Sequence, residues 1–353
     1  MKPRTPLALT ALALTAACGA STPEPTSAPP AASTHAPVVS AAPPASSSAA
    51  PPEPTPEEKK KAEEARQLSA DFEKLEVDSK AELARWTPEL RAEAKALADQ
   101  RWGAVDAALD AVIKGKHRVP GHAARDKDRH PKETLKFFGL RPDMVVIEVG
   151  PGEGWYTELL APVLAARGKL LVTSGDPKGS TELRPTLYAQ RIDRFLTKAP
   201  EAYGKVERIY MGDKPALGGG ERADLVLVAR AMHGWAQRKL VEAWLAEVKG
   251  ALKPGGVLAI EAHRAKGDGD IEALAKKGYL PEAWVIQQVE AAGFKLAAKS
   301  EINANPRDTK DYEPGVWALP PTLRLGDKDR DKYVAIGESD RMTLRFVKPA
   351  KKK

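Results

Sequence analysis

The sequence predicts an α/β fold: a doubly wound, mostly parallel Rossmann-like sheet with an N-terminal helical extension. Three observations predict it. A continuous apolar run from Val145 to Ile147 is typical of a strand that is buried on both faces. A glycine-rich turn at residues 150–154 follows at once, and an apolar helical pattern follows the turn. Four more predicted strands follow, at Lys169–Thr173, Val206–Met211, Asp224–Val228 and after the turn at 252–256, which together fit a doubly wound sheet.

Composition divides the 353 residues into five segments. A lipoprotein-type signal peptide over 1–18 leads into a disordered Pro/Ala/Ser-rich linker over 19–56. A helical extension over 57–116 precedes the sheet-forming domain over 117–348, and a basic tail follows at 349–353. The linker carries almost no large apolar side chain, so it cannot bury enough surface to offset its chain entropy.

An export signal is predicted at the amino terminus. Lys2 and Arg4 form a positive region before an apolar stretch that is too short to span a membrane. The run from Leu14 to Cys18 resembles a bacterial lipobox, and this resemblance implies that Cys18 is acylated and becomes the mature N-terminus. The alternative is ordinary cleavage near Ala17, which would leave a free thiol. We therefore expect an exported protein, lipid-anchored to the bacterial cell envelope and facing the periplasm or the exterior.

The segment before the sheet shows helical periodicity. Thr87 is a candidate N-cap with Pro88 in the first turn, and apolar residues then recur on one face as far as Val112. One or two amphipathic helices that pack on the main domain are the favoured interpretation. A partner-binding coiled coil is the alternative, which Arg101 and Gly103 disfavour because they interrupt the apolar seam.

Charge and composition exclude several classes of site. The formal net charge is +7, aromatic residues are only 6%, and basic residues are scattered, so no nucleic-acid partner is expected. A single cysteine excludes an internal disulfide framework, a cysteine-cluster zinc site and a cysteine-ligated iron–sulfur cluster. No histidine pair stands at helical ligand spacing, so no metal site is predicted.

The turn after the first predicted strand has the character of a ligand cradle. It reads Glu148-Val149-Gly150-Pro151-Gly152-Glu153-Gly154. Glycines let the backbone approach a ligand, and the following helix N-terminus presents free N–H groups to an anionic group. A dinucleotide fingerprint would require a third glycine at position 155, where Trp155 stands. A nicotinamide-dependent oxidoreductase is therefore a disfavoured alternative.

This turn and the features after it resemble the class I S-adenosylmethionine-dependent methyltransferases. The resemblance implies that the glycine loop holds the methionine part of S-adenosyl-L-methionine and that Glu148 helps to hold its ammonium group. It implies further that Asp176, after the second strand, takes the ribose hydroxyls and that Asp213, after the third, lies near the adenine amine. The Leu-Lys-Pro-Gly-Gly turn at 252–256 is a frequent feature of the same family. The candidate cofactor-binding residues are therefore Glu148, Gly150, Pro151, Gly152, Gly154, Asp176 and Asp213.

Other segments resemble a bacterial group of exported predicted methyltransferases. In this sequence they read Arg125-Asp126, Arg129, Pro131, Arg230-Ala231-Met232-His233-Gly234-Trp235, Glu261-Ala262-His263-Arg264-Ala265, Gly278-Tyr279-Leu280-Pro281-Glu282 and Asn303-Ala304-Asn305-Pro306. Ala231 stands where that group more commonly has Asn. The resemblance implies a reaction class and no particular acceptor.

Methyl transfer of this kind is an in-line displacement, in which holding the acceptor near the methyl group supplies much of the catalysis. A base is needed only when the acceptor must lose a proton. His233, just past the fourth strand, is the leading candidate for a base or a positioning residue, and a structural histidine is the alternative. His263 and Arg264, just past the fifth strand, are second candidates. We expect a small-molecule acceptor; the alternative to an active enzyme is a catalytically inactive, methyltransferase-fold binding lipoprotein of the cell envelope.

Overall fold

The structure is a computed structural model that describes residues 53–350. The predicted signal peptide, Cys18 and most of the predicted linker therefore lie outside the described residues, as do residues 351–353 of the predicted tail. Among residues 53–350, no helix has both the length and the apolar character that are needed to cross a membrane.

A seven-stranded sheet forms the centre of the described chain, in the order β3-β2-β1-β4-β5-β7-β6. Its strands are β1 Val145–Val149, β2 Lys169–Ser174, β3 Glu207–Tyr210, β4 Ala223–Ala229, β5 Leu252–His263, β6 Lys295–Ser300 and β7 Arg341–Val347. Strands β1 to β5 run parallel, and β7 is antiparallel to both β5 and β6. This confirms the predicted α/β fold with a doubly wound, mostly parallel sheet. The strand order reverses between β1 and β4, and ligands of such sheets bind at that point, outside the carboxyl ends of the strands.

Helices cover both faces of the sheet. They are α1 Pro56–Arg85, α2 Pro88–Asp99, α3 Val105–Lys114, α4 Pro120–Ala123, α5 Asp126–Arg129, α6 Pro131–Phe137, α7 Thr157–Leu164, α8 Arg184–Thr197, α9 Pro200–Tyr203, α10 Met232–Gln237, α11 Val241–Ala251, α12 Ile271–Lys276, α13 Glu282–Ala291 and α14 Arg330–Ile336, with a 3₁₀ helix over Gly315–Ala318. In β1, Val146 belongs to the core that contains α7, whereas Ile147 and Val149 belong to the core that contains α11. Burial on both faces explains why this strand reads as a continuous apolar run.

Three helices precede the sheet-forming domain, where the sequence predicts one or two. The N-cap prediction is confirmed, because Oγ1 of Thr87 accepts a hydrogen bond from the Leu90 N–H at 3.3 Å. Helix α2 ends before the predicted interruption at Arg101 and Gly103, and α3 starts just after it. Helix α1 packs on α8, and α2 and α3 pack on α7.

The last two strands, β6 and β7, are absent from the sequence prediction. Strand β6 alternates exposed and half-buried residues at the edge of the sheet, and β7 begins with Arg341, which is buried. Residues 301–340 connect these strands and contain a small hydrophobic cluster around Tyr312 and Tyr333. Within this connection Trp317 contacts His233 of α10, so the segment extends over the carboxyl edge of the sheet.

Candidate functional site

The glycine loop after β1 takes a left-handed backbone conformation at three positions. The φ angles are 67° at Gly150, 59° at Gly152 and 84° at Gly154, where residues other than glycine are strained. A Cβ on Gly154 would lie 2.9 Å from the ring of Phe195, so this glycine is required for packing. A Cβ on Gly152 would have no heavy atom of the described residues within 4 Å. The backbone at Gly152 therefore faces open space, as a ligand-binding loop requires.

Glu148 is the buried acid beside this loop. Oε2 of Glu148 accepts a hydrogen bond from Oγ1 of Thr157 at 2.7 Å, and its other oxygen accepts none from any described residue. Burial raises the pKa of Glu148 to about 7, and the Thr157 hydrogen bond and the charge of Arg230 offset part of that rise. A carboxylate with one free oxygen suits a cationic ligand group, which would also stabilise its ionised form.

Thr173 near the end of β2 also contributes to the loop and is not among the site residues predicted from the sequence. Its Oγ1 accepts a hydrogen bond from the Gly150 N–H at 2.8 Å, which fixes the start of the loop to the neighbouring strand. A hydroxyl near the carboxyl end of an apolar strand was the available signal. Asp176 is exposed and accepts a hydrogen bond from the Lys178 N–H at 2.9 Å, which is a turn role. Asp213 is exposed and has no partner among the described side chains.

The two predicted histidines lie close together at the carboxyl ends of β4 and β5. The ring centroids of His233 and His263 are 5.8 Å apart, and the ring of Trp317 is 5.6 Å from that of His233. Burial and the nearby charge of Arg230 lower the pKa of His233 to about 4. His233 is therefore neutral near pH 7 and can accept a hydrogen bond, while its lowered pKa makes it a weaker base than an ordinary histidine.

His263 and Arg264 have contacts that explain them structurally. Nδ1 of His263 lies 2.5 Å from Oγ of Ser339, and burial holds the pKa of His263 well below its ordinary value. The Arg264 guanidinium forms ion pairs with the carboxylates of Glu282, Glu301 and Asp340. These contacts favour a structural role for Arg264, because its donors are already in use.

A cluster of arginine and glutamate side chains lies at the same edge, and its members are not among the site residues predicted from the sequence. This edge cluster consists of Arg125, Arg129, Arg230, Arg341, Glu261 and Glu338. Arg341 joins the two acids: its Nε is 2.8 Å from Oε1 of Glu261, and its Nη1 is 2.6 Å from Oε2 of Glu338. Nε of Arg129 also lies 2.8 Å from Oε2 of Glu338. The signal in the sequence was the position of Arg230 and Glu261 at the ends of β4 and β5.

The glycine loop contacts this edge cluster through two aromatic residues. The Tyr156 hydroxyl donates a hydrogen bond to Oε2 of Glu261 at 2.5 Å. Trp155 is buried, donates from Nε1 to the His122 carbonyl at 3.0 Å, and has the Arg129 guanidinium 4.9 Å from its ring. Trp155 thus fills the place of the third glycine of a dinucleotide-binding loop. No group of three or more potential metal ligands occurs among residues 53–350.

No protein-family model matches the chain, and no curated protein matches its sequence. Solved structures do resemble its fold. An S-adenosylmethionine-dependent methyltransferase from Aquifex aeolicus is 18% identical over 67% of this chain and 96% of its own, with a TM-score of 0.42. One from Methanosarcina mazei is 13% identical over 62% of this chain and 98% of its own, with a TM-score of 0.39. The [4+2]-cyclase SpnF is 13% identical over 64% and 82%, with a TM-score of 0.44. At these values the matches assign no reaction to this chain.

Proposed function

We propose that this chain is an S-adenosylmethionine-dependent methyltransferase, anchored to the bacterial cell envelope, that acts on a small-molecule acceptor. The observation that carries the proposal is the pairing of an open left-handed glycine, Gly152, with a buried acid, Glu148, that keeps one oxygen free. Both lie at the end of β1, where the strand order reverses. This is the position at which open α/β sheets bind their ligands.

The residues present fit the cofactor that the resemblance implies. Glu148 would pair with its ammonium group, and the backbone around Gly152 would lie against its methionine part. When bound, S-adenosylmethionine supplies an activated methyl group. His233 would orient the acceptor or take its proton, and its place at the end of β4 suits both roles. Its lowered pKa keeps the imidazole neutral near pH 7 but makes it a weaker base than an ordinary histidine, which suits the orienting role better. Trp317 packs beside His233 and would help to exclude water.

The envelope location belongs to the same proposal and rests on the sequence. Cys18 follows a positively charged region and a short apolar stretch, in a run that resembles a lipobox. Acylation at Cys18 would attach the protein to a membrane, and the predicted linker would separate the folded domain from that membrane.

A catalytically inactive binding lipoprotein is the second candidate, and Ala231 favours it. Ala231 replaces the Asn that is more common in the group that the sequence resembles. The Ala231 Cβ lies 3.5 Å from the point where a Cβ on Gly150 would stand, so the substitution falls beside the glycine loop. If that Asn contributes to transfer, binding would persist here without reaction.

Calorimetric titration tests the binding step. We expect S-adenosylmethionine and S-adenosylhomocysteine to bind and NAD not to bind. Failure of both adenosyl ligands to bind would overturn the proposal.

A label-transfer assay separates the two candidates. The protein is incubated with methyl-tritiated S-adenosylmethionine and the low-molecular-mass fraction of a bacterial extract. An active enzyme transfers label to that fraction, and Gly152→Ala serves as the blank. Cofactor binding without any transfer would favour the inactive candidate.

A further inference from the structure

The edge cluster holds more positive than negative charge. It contains four arginines and two glutamates, and Arg129, Arg341, Glu261 and Glu338 are all buried. Although burial alone would raise the pKa values of Glu261 and Glu338, the surrounding arginines hold both below their ordinary values. Both acids are therefore ionised, and an excess of two positive charges remains. The two buried arginines balance the two buried glutamates, so the excess lies on the partly exposed Arg125 and Arg230, and Arg125 also reaches Glu153. An anion bound at Arg230 would balance the charge that remains.

Arg129 has a donor that no described residue satisfies. Its Nε binds both carboxylate oxygens of Glu338, at 3.0 and 2.8 Å, and its guanidinium lies over Trp155. Its Nη1 is buried and has no hydrogen-bond partner within the described part of the chain. Burial, together with the charge of Arg230, lowers the pKa of Arg129 to about 9. A buried donor without a partner calls for an explanation, and a bound anion beside a guanidinium is one.

Arg230, next to the glycine loop, presents further donors that no described residue takes up. Its backbone is left-handed, with φ 56°, and its N–H donates to the Glu261 carbonyl at 2.7 Å. Strained backbone of this kind is concentrated at functional sites. The Arg230 side chain makes a single hydrogen bond to a described residue, from Nη1 to Oε1 of Glu261 at 3.3 Å. The next residue, Ala231, lies against Gly150, so Arg230 adjoins the loop.

The other nearby acids do not satisfy these donors. Glu153 is exposed. Its Oε2 lies 3.5 Å from Nη1 of Arg125, and its Oε1 lies 3.9 Å from Nη1 of Arg191. Glu148 bonds to Thr157 and forms no hydrogen bond with Arg129 or Arg230. The remaining donors of Arg129 and Arg230 are therefore available to a bound molecule.

We infer that Arg129 and Arg230 bind an anionic group, a carboxylate or a phosphate, of a molecule held at the carboxyl edge of the sheet. The inference rests on the proposed function for the identity of that molecule. The anionic group has two possible sources under it: the α-carboxylate of the cofactor, or an anionic substituent of the acceptor. Arg129 lies over Trp155 next to the glycine loop, and Arg230 lies close enough to His233 to lower its pKa, which is compatible with both sources.

Titration of the purified protein with inorganic phosphate and with acetate, at constant ionic strength, tests the inference. We expect saturable binding by the wild type and a loss of about tenfold or more in Arg230→Gln and Arg129→Gln, the effect of removing a charge-assisted hydrogen bond. Arg238→Gln is the matched control, because Arg238 is exposed and its side chain bonds to a backbone carbonyl of its own helix. It removes the same charge and should leave the affinity unchanged.

A second set of titrations identifies the source of the anionic group. If it is the cofactor's carboxylate, S-adenosylhomocysteine blocks phosphate binding, and Arg230→Gln weakens S-adenosylhomocysteine but not 5′-methylthioadenosine, which lacks the carboxylate. If it belongs to the acceptor, phosphate still binds to the S-adenosylhomocysteine complex. Either outcome supports the anion site.

The pKa of His233 distinguishes an anion-binding role of Arg230 from a purely structural one. Because Arg230 helps to lower the pKa of His233, an anion bound at Arg230 should raise it. We expect saturating phosphate to raise the pKa of His233 in the wild type and not in Arg230→Gln. NMR titration of the imidazole measures this pKa. Arg230→Gln is the main variant because the Arg230 side chain is 22% exposed, whereas the buried Arg129 is needed for contact with Glu338.

Equal anion affinities in the wild type and Arg230→Gln would overturn the inference. An equal loss of anion affinity in Arg238→Gln would overturn it as well. So would a wild type that binds neither anion saturably, if Arg230→Gln also leaves the affinity for S-adenosylhomocysteine unchanged. The free-protein titration needs no cofactor. If S-adenosylhomocysteine fails to bind while phosphate binds through Arg230, the proposed function falls and the anion site stands.

Discussion

Gly152 and Gly154 share a left-handed backbone but differ in what surrounds them. Gly154 lies against Phe195, whereas Gly152 faces open space. The same substitution should therefore separate a structural glycine from a ligand-facing one, which sequence spacing alone cannot do.

We predict that Gly154→Ala destabilises the protein more than Gly152→Ala, because only the former adds a clash to the backbone strain. The expected cost is about 1 kcal/mol for Gly152→Ala and about 2–4 kcal/mol for Gly154→Ala. Gly152→Ala should nevertheless weaken S-adenosylhomocysteine binding, since its methyl group enters the space assigned to the ligand. Chemical denaturation and calorimetry measure the two effects. Unimpaired binding by a folded Gly152→Ala would show that the ligand does not lie against this loop.

The raised pKa of Glu148 gives ligand binding a definite dependence on pH. Since its pKa is about 7, Glu148 is largely protonated at pH 6 and ionised at pH 8. We predict that S-adenosylhomocysteine affinity rises over this interval, and that Glu148→Gln is weaker by about tenfold or more at the upper end and loses the dependence. Glu153→Gln is the control, as Glu153 is an exposed acid of the same loop. A pH profile shared by the wild type and Glu148→Gln contradicts this role.

The buried carboxylate of Glu148 should lower the stability of the ligand-free fold at the pH values at which it favours ligand binding. A carboxyl group whose pKa is higher in the folded state than in the unfolded state favours folding when the pH is below both pKa values. That contribution is lost as the pH rises from the unfolded-state pKa to the folded-state pKa. For Glu148 the window runs from 4.5 to about 7. We predict that ligand-free Glu148→Gln is more stable than the wild type at pH 8, by about 3 kcal/mol at most. Denaturant unfolding at pH 4 and pH 8 measures the difference, and a less stable variant at pH 8 would refute the prediction.

At the scale of elements, local patterns predict β1 to β5, because all of them except the short edge strand β3 are rich in apolar residues. The same reasoning misses β7, whose first residue, Arg341, is buried only because Glu261 and Glu338 neutralise it. It also misses the edge cluster, in which Arg129 and Glu338 are 209 residues apart in sequence. Contacts over such distances depend on the completed sheet and leave no periodic signal. The glycine loop was predictable because all its parts are consecutive.

The end of α1 is attached to the rest of the protein through Glu82. Its carboxylate accepts hydrogen bonds from Arg85, from Lys198 at 2.9 Å and from the Trp86 indole at 3.0 Å. Burial alone would raise the pKa of Glu82, but these partners lower it to about 2. The stability that follows is present above pH 4.5 and is lost as pH falls towards 2.

We therefore predict that Glu82→Gln destabilises the protein by about 2 kcal/mol at pH 7 and has little effect near pH 2. Glu76→Gln is the control on the same helix, because Glu76 pairs with Arg194 at a more exposed position and its loss should matter less. Denaturant unfolding at both pH values measures the effect. Equal losses in the two variants would show that the buried contacts of Glu82 add nothing.

At the scale of the whole molecule, the proposed enzyme and its proposed location make opposite demands. The folded domain is expected to bind a cofactor, while the amino-terminal signal would place that domain outside the cytoplasm. An exported methyltransferase would need S-adenosylmethionine on that side of the membrane. Anchoring therefore bears on whether the active enzyme or the binding lipoprotein is the better description.

We predict that Cys18→Ser releases the protein from the membrane fraction, because acyl chains anchor far more strongly than a basic tail. Cell fractionation and labelling with an alkyne fatty acid measure anchoring and acylation separately. Ser21→Ala is the control, since it changes a nearby small residue and leaves the cysteine intact. Membrane association that persists in Cys18→Ser would exclude the lipid anchor, and the basic residues after Val347 would then be the next segment to test.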